Sequence, residues 1–375
     1  MITNRIYLFA NFGNWQKQPY GGGEVGNRRT LSLLQKCNFE IKIIEKYQRV
    51  NNHSPLNLIL LGLKMLGNII KFFLTLFLGR RKNSIVHIVG FYGPMVYFEN
   101  ILVSISNLLG YFTVYEMRGG GADLYFKEGK KRYKKAFSHI IKTCNCIYSQ
   151  GKENNSLILE ISPDKDIFYY PNYVMKDFIP PINPQKPKDK INLVYFGRVS
   201  KTKNVDIVID TFKILANTYD NIYLDIIGNC PEPEYAEQIK RSIKELGLEQ
   251  RVNIHPACNH EKLKQHLKDK HFYLFPTKEP HEGHSNALTE AMAWGVIPIA
   301  TSQGFNSSVI NDKSLITKDL QPESFASIIK QIITDNRIYT ISKDVYMRIQ
   351  LNFTEDVILK NLKEKYDSLF SQISK

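Results

Sequence analysis

Two carboxylates and two cations carry the residue types and spacing for chemistry. Glu282 and Glu290 have seven residues between them within the stretch Glu279 to Gly295. On one unbroken helix they would stand roughly 12 Å apart along the axis, too far to share one small group. Gly283 and the capping-type residues Ser285 and Asn286 instead put Glu282 in a loop and Glu290 about one turn inside a helix. That arrangement suits a ligand with two separated polar parts. Amides exposed at the helix start suit a phosphate, and the carboxylates accept hydrogen bonds from hydroxyls on either side. The residues alone leave a second reading open, with a solvated Glu282 on a surface loop and an exposed Glu290 among good helix formers. The cations lie in Gly197-Arg198-Val199-Ser200-Lys201-Thr202-Lys203, directly after an apolar run. Arg198 with Lys203, or with Lys201, makes an anion clamp there; two exposed loop cations are the plain alternative.

Positioning such groups takes strands that end where the loops begin. In the second half, strands are expected at 192–196, 222–227, 252–255, 272–275 and 297–300, alternating with helices at 205–215, 235–246 and 261–267 and a helix-forming segment at 287–294. This spacing implies a parallel, doubly wound sheet with ligands outside the carboxyl ends of the strands. Gly228 ends one such strand. Further helices are expected at 322–334, 342–351 and 355–370. In the first half, strands are expected at 6–11, 40–45, 85–89 and 112–116, with helices at 24–35 and 96–109. Gly21-Gly22-Gly23 forms a turn between strand and helix through which amides approach an anion. Arg118 follows a strand and is either an anion ligand or a structural ion-pair partner. Asp164-Lys165-Asp166 follows Ser162-Pro163 and reads as a turn rather than a metal site.

With 375 residues the chain exceeds one typical core, so two domains are expected. The net charge of +14 favours anionic partners. Five scattered cysteines argue against a disulfide framework and for a reducing compartment. Leu56 to Leu78 is strongly apolar but carries Lys64 and Lys71, which reads as a core or membrane-surface helix rather than a span. The basic run Lys127 to Lys135, with Tyr125, Phe126 and Tyr133 interleaved, reads as a solvated face that also suits anionic lipid or a pyrophosphate-linked acceptor. No nucleic-acid motif accompanies it, so nucleic acid is not expected as a partner.

The block Glu282-Gly283-His284-Ser285-Asn286-Ala287-Leu288-Thr289-Glu290-Ala291-Met292-Ala293-Trp294-Gly295 resembles the E-x7-E signature of family 4 glycosyltransferases. These are retaining, sugar-nucleotide-dependent enzymes. The resemblance implies an α/β chain of the GT-B fold, with two Rossmann-like domains facing a cleft. Residues 1–178 would be the acceptor-binding domain, 179–190 a proline-rich linker, and 191–375 the nucleotide-sugar domain, with the last helix returning to the first. It further implies that Arg198 and Lys203 bind the donor diphosphate and neutralise it as it leaves. Glu282 would face the transferred sugar, with His284, Ser285 and Asn286 beside it, and Glu290 would hold the ribose. A glycine-rich loop at Gly22 and Gly23 and the glycine at Gly228 would approach the ligands. Three departures stand out. Many relatives carry histidine where this chain has Arg118, glycine is usual where it has Asn204, and Asn229-Cys230-Pro231 replaces the common Gly-x-Gly form after Gly228. No essential metal is implied. The donor expected is a nucleotide-sugar, UDP ahead of GDP, and the acceptor a bacterial surface glycan on a polyprenyl-diphosphate carrier. The location expected is cytoplasmic, peripheral on the inner face of the membrane. A soluble acceptor, or a non-catalytic nucleotide-sugar or nucleic-acid binding protein, are the competing readings.

Overall fold

A computed structural model describes residues 4–17, 22–46 and 54–373. The chain divides into two compact units, Met1–Pro171 with Ile358–Lys375, and Asn172–Val357. The proline-rich stretch 179–190 lies within the second of these and is packed there. The Lys186 ammonium donates to the carbonyls of Leu267, Lys268 and Trp294 at 3.2, 3.2 and 2.8 Å.

The first unit is built on β1 (Arg5–Ala10), β2 (Glu40–Glu45), β3 (Ser84–Gly90), β4 (Phe112–Met117), β5 (Cys146–Ser149) and β6 (Asp166–Tyr169), all parallel in the order β2-β1-β3-β4-β5-β6. Its helices are α1 (Gly22–Lys36), α2 (Pro55–Phe77), α3 (Val96–Leu108), α4 (Ala122–Glu128), α5 (Lys131–Thr143) and α6 (Asn155–Ile161). All of β3 is buried, as befits a strand covered by helices on both faces. Helix α5 buries Tyr133, Phe137, Ile140 and Ile141 at helical spacing and leaves Lys131, Arg132 and Lys135 exposed. Its interleaved aromatics therefore belong to the core, with Tyr125 and Phe126 packed against the same cluster.

Helix α2 behaves differently. Ser54 caps it, accepting from the Asn57 amide at 3.4 Å, and Pro55 starts it. Phe72 and Leu76 are buried, and Met65 and Ile69 pack partly against the same core. The opposite side exposes Leu56, Ile59, Leu63, Leu66, Ile70, Leu74 and Phe77, an apolar stripe along its whole length. Arg81 and Lys82, just beyond it, are exposed.

The second unit repeats the plan with β7 (Ile191–Phe196), β8 (Ile222–Ile227), β9 (Val252–His255), β10 (Phe272–Phe275), β11 (Ile297–Thr301) and β12 (Ile316–Thr317), parallel in the order β12-β11-β10-β7-β8-β9. Helices α7 (Val205–Ala216), α8 (Pro233–Glu245), α9 (His260–Leu267), α10 (Asn286–Ala293), α11 (Asn306–Ile310), α12 (Pro322–Thr334) and α13 (Ile338–Asn352) accompany them, and α14 (Glu355–Ile373) ends the chain. Every described cysteine is unpaired.

Candidate active site at a reversal of strand order

In the second unit the chain builds β7, β8 and β9 toward one edge, then places β10 on the other side of β7. The carboxyl ends of β7 and β10 therefore flank a switch point, where doubly wound sheets bind ligands. Residues 197–204 leave the first strand and residues 276–285 the second, and these two loops hold most of the groups singled out from the sequence.

Arg198 stands two residues beyond β7 with its side chain exposed, while its carbonyl accepts a hydrogen bond from Tyr195 Oη at 2.6 Å. Next to it passes the loop after β8. Gly228 has φ +157°, and a Cβ there would fall 1.8 Å from the Gly197 carbonyl oxygen, so only glycine permits this approach. Lys201–Lys203 form a single 3₁₀ turn that ends at Asn204, φ +50°. Asparagine tolerates the left-handed conformation better than other residues bearing a Cβ, and here its amide also donates to the Pro276 carbonyl at 2.7 Å. The position keeps the backbone that glycine would supply and gains a tie to the neighbouring loop.

Lys203 turns toward that loop and pairs directly with Glu282. Thr277 Oγ1 donates to the same carboxylate oxygen at 2.9 Å and lies 3.4 Å from the ammonium. The Phe275 ring lies beneath the ammonium, its centroid 5.2 Å away. The two loops are further stapled by Thr202 Oγ1 to Glu279 Oε2 and by the Lys278 amide to the Thr202 carbonyl, each 2.8 Å. Gly283 leads into α10, whose N-cap is Ser285, its hydroxyl accepting from the Leu288 amide at 3.4 Å. Asn286 is the first helical residue, and the first amides of a helix have no acceptor within it. Glu290 sits one turn inside, its carboxylate 3.4 Å from Nε2 of His260.

Four of the candidate residues, His284, Gly22, Gly23 and Arg118, lie outside this arrangement. His284 is buried edge-on against Phe353, centroids 5.2 Å apart, and its carbonyl accepts from Asn172 Nδ2 at 2.8 Å. Its ring is a packing element of the second unit. Gly22 and Gly23 are the first two residues of α1 rather than a turn ahead of it, so their amides count among the free donors of a helix start; Gly21 lies outside the described residues. Arg118 belongs to the first unit and is buried there. It donates to Glu116 Oε1 at 2.5 Å, Thr30 Oγ1 at 2.7 Å and the Gly26 carbonyl at 3.2 Å. A Cβ at Gly26 would fall 1.7 Å from its Nη1, so helix α1 carries glycine where the guanidinium needs room. Glu116 in turn lies 2.9 Å from His87 Nε2, and His87 Nδ1 lies 2.5 Å from Tyr366 Oη. Burial pushes the Glu116 carboxyl up, but Arg118 and His87 together outweigh it and hold it below the ordinary carboxylate range. The turn expected at 164–166 lies at residues 163–164, while Asp166 opens β6 and binds Lys365 at 2.6 Å.

Thr277 and His260 escaped the sequence reading. The only signal for Thr277 was its place just beyond an apolar strand; His260 carried none, since its partner lies 30 positions away.

Residues 179–347 match the family described as Glycosyl transferases group 1. Over 190 residues the chain is 25% identical to the capsular polysaccharide biosynthesis glycosyltransferase CapM of Staphylococcus aureus, a match covering 49% of this chain and 48% of that protein. The chain spans about a third to a half of the length of the curated relatives it matches, 35% to 48%. Among solved structures, sucrose-phosphate synthase from Thermosynechococcus elongatus is similar with a TM-score of 0.72 at 16% identity, covering 98% of this chain and 100% of that one. HepE of Anabaena, in complex with UDP, gives 0.69 at 14% identity, covering 97% and 100%. The fold is thus GT-B, two Rossmann-like α/β units, and the chain resembles bacterial surface-polysaccharide glycosyltransferases of that fold.

Proposed function

We propose that this chain is a retaining glycosyltransferase that moves a sugar from a nucleotide-sugar, UDP-linked ahead of GDP-linked, to a lipid-linked bacterial surface glycan at the cytoplasmic face of the membrane. The observation that carries this reading is the switch point at β7 and β10, where Arg198, Lys203 and Glu282 meet on two stapled loops with Glu290 on the helix that follows.

Breaking the bond between sugar and diphosphate leaves negative charge on the departing diphosphate. Arg198 and Lys203 stabilise that charge, an electrostatic role that needs no essential metal. Glu290 accepts hydrogen bonds from the ribose hydroxyls, with His260 holding its carboxylate. Glu282 faces hydroxyls of the transferred sugar. Its ion pair with Lys203 fixes both side chains, so sugar and diphosphate meet groups that are already oriented. No carboxylate acts as a covalent nucleophile, unlike retaining hydrolases. HepE has been solved with UDP, which supports the choice of base.

The apolar stripe of α2 supports the lipid side of the proposal. An exposed apolar face of this length is unusual on a soluble surface, and with Arg81, Lys82 and the basic face of α5 it suits a helix lying in an anionic membrane interface. The test is twofold. Screening sugar nucleotides and a polyprenyl-diphosphate acceptor should reveal transfer that is retained in EDTA and lost in both Arg198→Ala and Glu290→Ala; unchanged turnover in both variants overturns the assignment. Flotation with anionic vesicles should carry the wild type and not Leu63→Glu/Leu66→Glu/Ile70→Glu; equal flotation removes the membrane from the proposal.

A further inference from the structure

We propose that Asp225, His255 and His266 form a binding site for a divalent transition metal of the zinc, cobalt and nickel class, one that ties helix α9 and the edge strand β9 to β8. The ladder pairs Asp225 with Asn253 and Ile227 with His255, so Asp225 and His255 stand two residues apart on neighbouring strands and share one face of the sheet. Helix α9 brings His266 over that face. His255 Nε2 lies 3.5 Å from Asp225 Oδ1 and His266 Nδ1 lies 3.9 Å from Asp225 Oδ2, with all three ligand atoms within 4.8 Å of one another. Ligands about 2.0–2.2 Å from a tetrahedral zinc ion stand roughly 3.3–3.5 Å from each other, so a small inward turn of His266 closes the set.

A second observation points the same way. His255 Nε2 is buried and makes no hydrogen bond, although it faces a carboxylate. A bare imidazole nitrogen in that position is costly unless something else engages it. The carboxylate is oriented by Asn253 Nδ2, 3.0 Å from Oδ1, and by Lys270 Nζ, 2.9 Å from Oδ2, the outer support that metal ligands require. Lys270 also competes for Asp225, but it has a second carboxylate, Asp269, at 2.8 Å to which it can turn. None of Arg198, Lys203, Glu282 or Glu290 belongs to the set, so this site is structural and makes no claim on the transfer reaction.

The test uses the full chain stripped with EDTA and titrated with Zn²⁺ or Co²⁺. We expect one ion per chain, a cobalt visible band typical of low coordination number, and a rise in Tm of about 5–10 °C at a zinc concentration a hundredfold above Kd. His255→Ala and His266→Ala should each abolish both signals, and Lys270→Met should tighten binding severalfold. The chain has nine histidines, so zinc binding that survives both histidine variants marks surface histidines instead and overturns the proposal, as does the absence of saturable binding. X-ray absorption of the zinc-loaded wild type reads the ligands without any substitution; fewer than two imidazole nitrogens overturns it as well.

Discussion

Each unit reverses its strand order once, between β1 and β3 in the first and between β7 and β10 in the second, and each sends an arginine out just beyond a strand. The two arginines do opposite things. Arg118 is 5% exposed and its donors are taken by Glu116, Thr30 and Gly26. Arg198 is exposed, with no carboxylate within ion-pair distance among the described residues. Residue type and place along the strand are alike, so neither decides function. What decides is whether neighbouring side chains already use the guanidinium's hydrogen-bonding capacity. A saturated, buried arginine holds a fold together, whereas an open one at a switch point is available to an anion.

The largest expected effect tests the saturated member. Arg118→Ala leaves the Glu116 carboxylate buried without its arginine partner and should cost about 3–5 kcal/mol in urea unfolding, with donor affinity unchanged. A loss of donor affinity without a loss of stability would reverse the comparison. Arg198→Ala should show the mirror image. We expect donor kcat/KM to fall about 10²–10³-fold, with Tm close to the wild type because the residue is on the surface; a comparable fall in Tm would make Arg198 a second structural arginine.

A subtler contrast lies in pH. The Glu116 carboxyl is held below its ordinary range in the folded state, so its contribution is present above that range and lost as pH falls through it. Thermal melts from pH 7 down to pH 3 should show Glu116→Gln less stable than the wild type at neutral pH and the gap closing in acid. A constant gap would mean that the pairing does not sense charge. The smallest effect concerns the loop that carries Lys203. Asn204→Ala should cost about 1–2 kcal/mol for its left-handed backbone and Asn204→Gly clearly less, read as the difference between their melting curves.

Much of the site was legible because its signals are local. Gly283, Ser285 and Asn286 mark a loop and helix start, so Glu282 and Glu290 fall where the spacing places them, and the alternation of strands and helices from 191 onward gives the parallel sheet. The rest depends on partners far away in sequence. Arg118 is explained by Gly26 and Thr30, about 90 positions earlier, and Lys203 by Glu282, 79 positions later. Nothing near His284 announces that Phe353 will cover it. Composition left α2 open between core and surface, because its leucines look the same whether protein or lipid covers them.

One feature of the first unit bears on how the chain is made. Leu362, Tyr366, Leu369 and Phe370 are all buried, and they belong to the unit whose sheet is built from residues 5–169. Domains emerging from the ribosome usually fold in the order of their synthesis. Here the unit that starts first waits for a helix that is made only after the whole of the 172–357 unit. The earlier unit must therefore persist for a time with an open core and an exposed apolar helix α2. That interval is when we expect the nascent protein to depend most on chaperones.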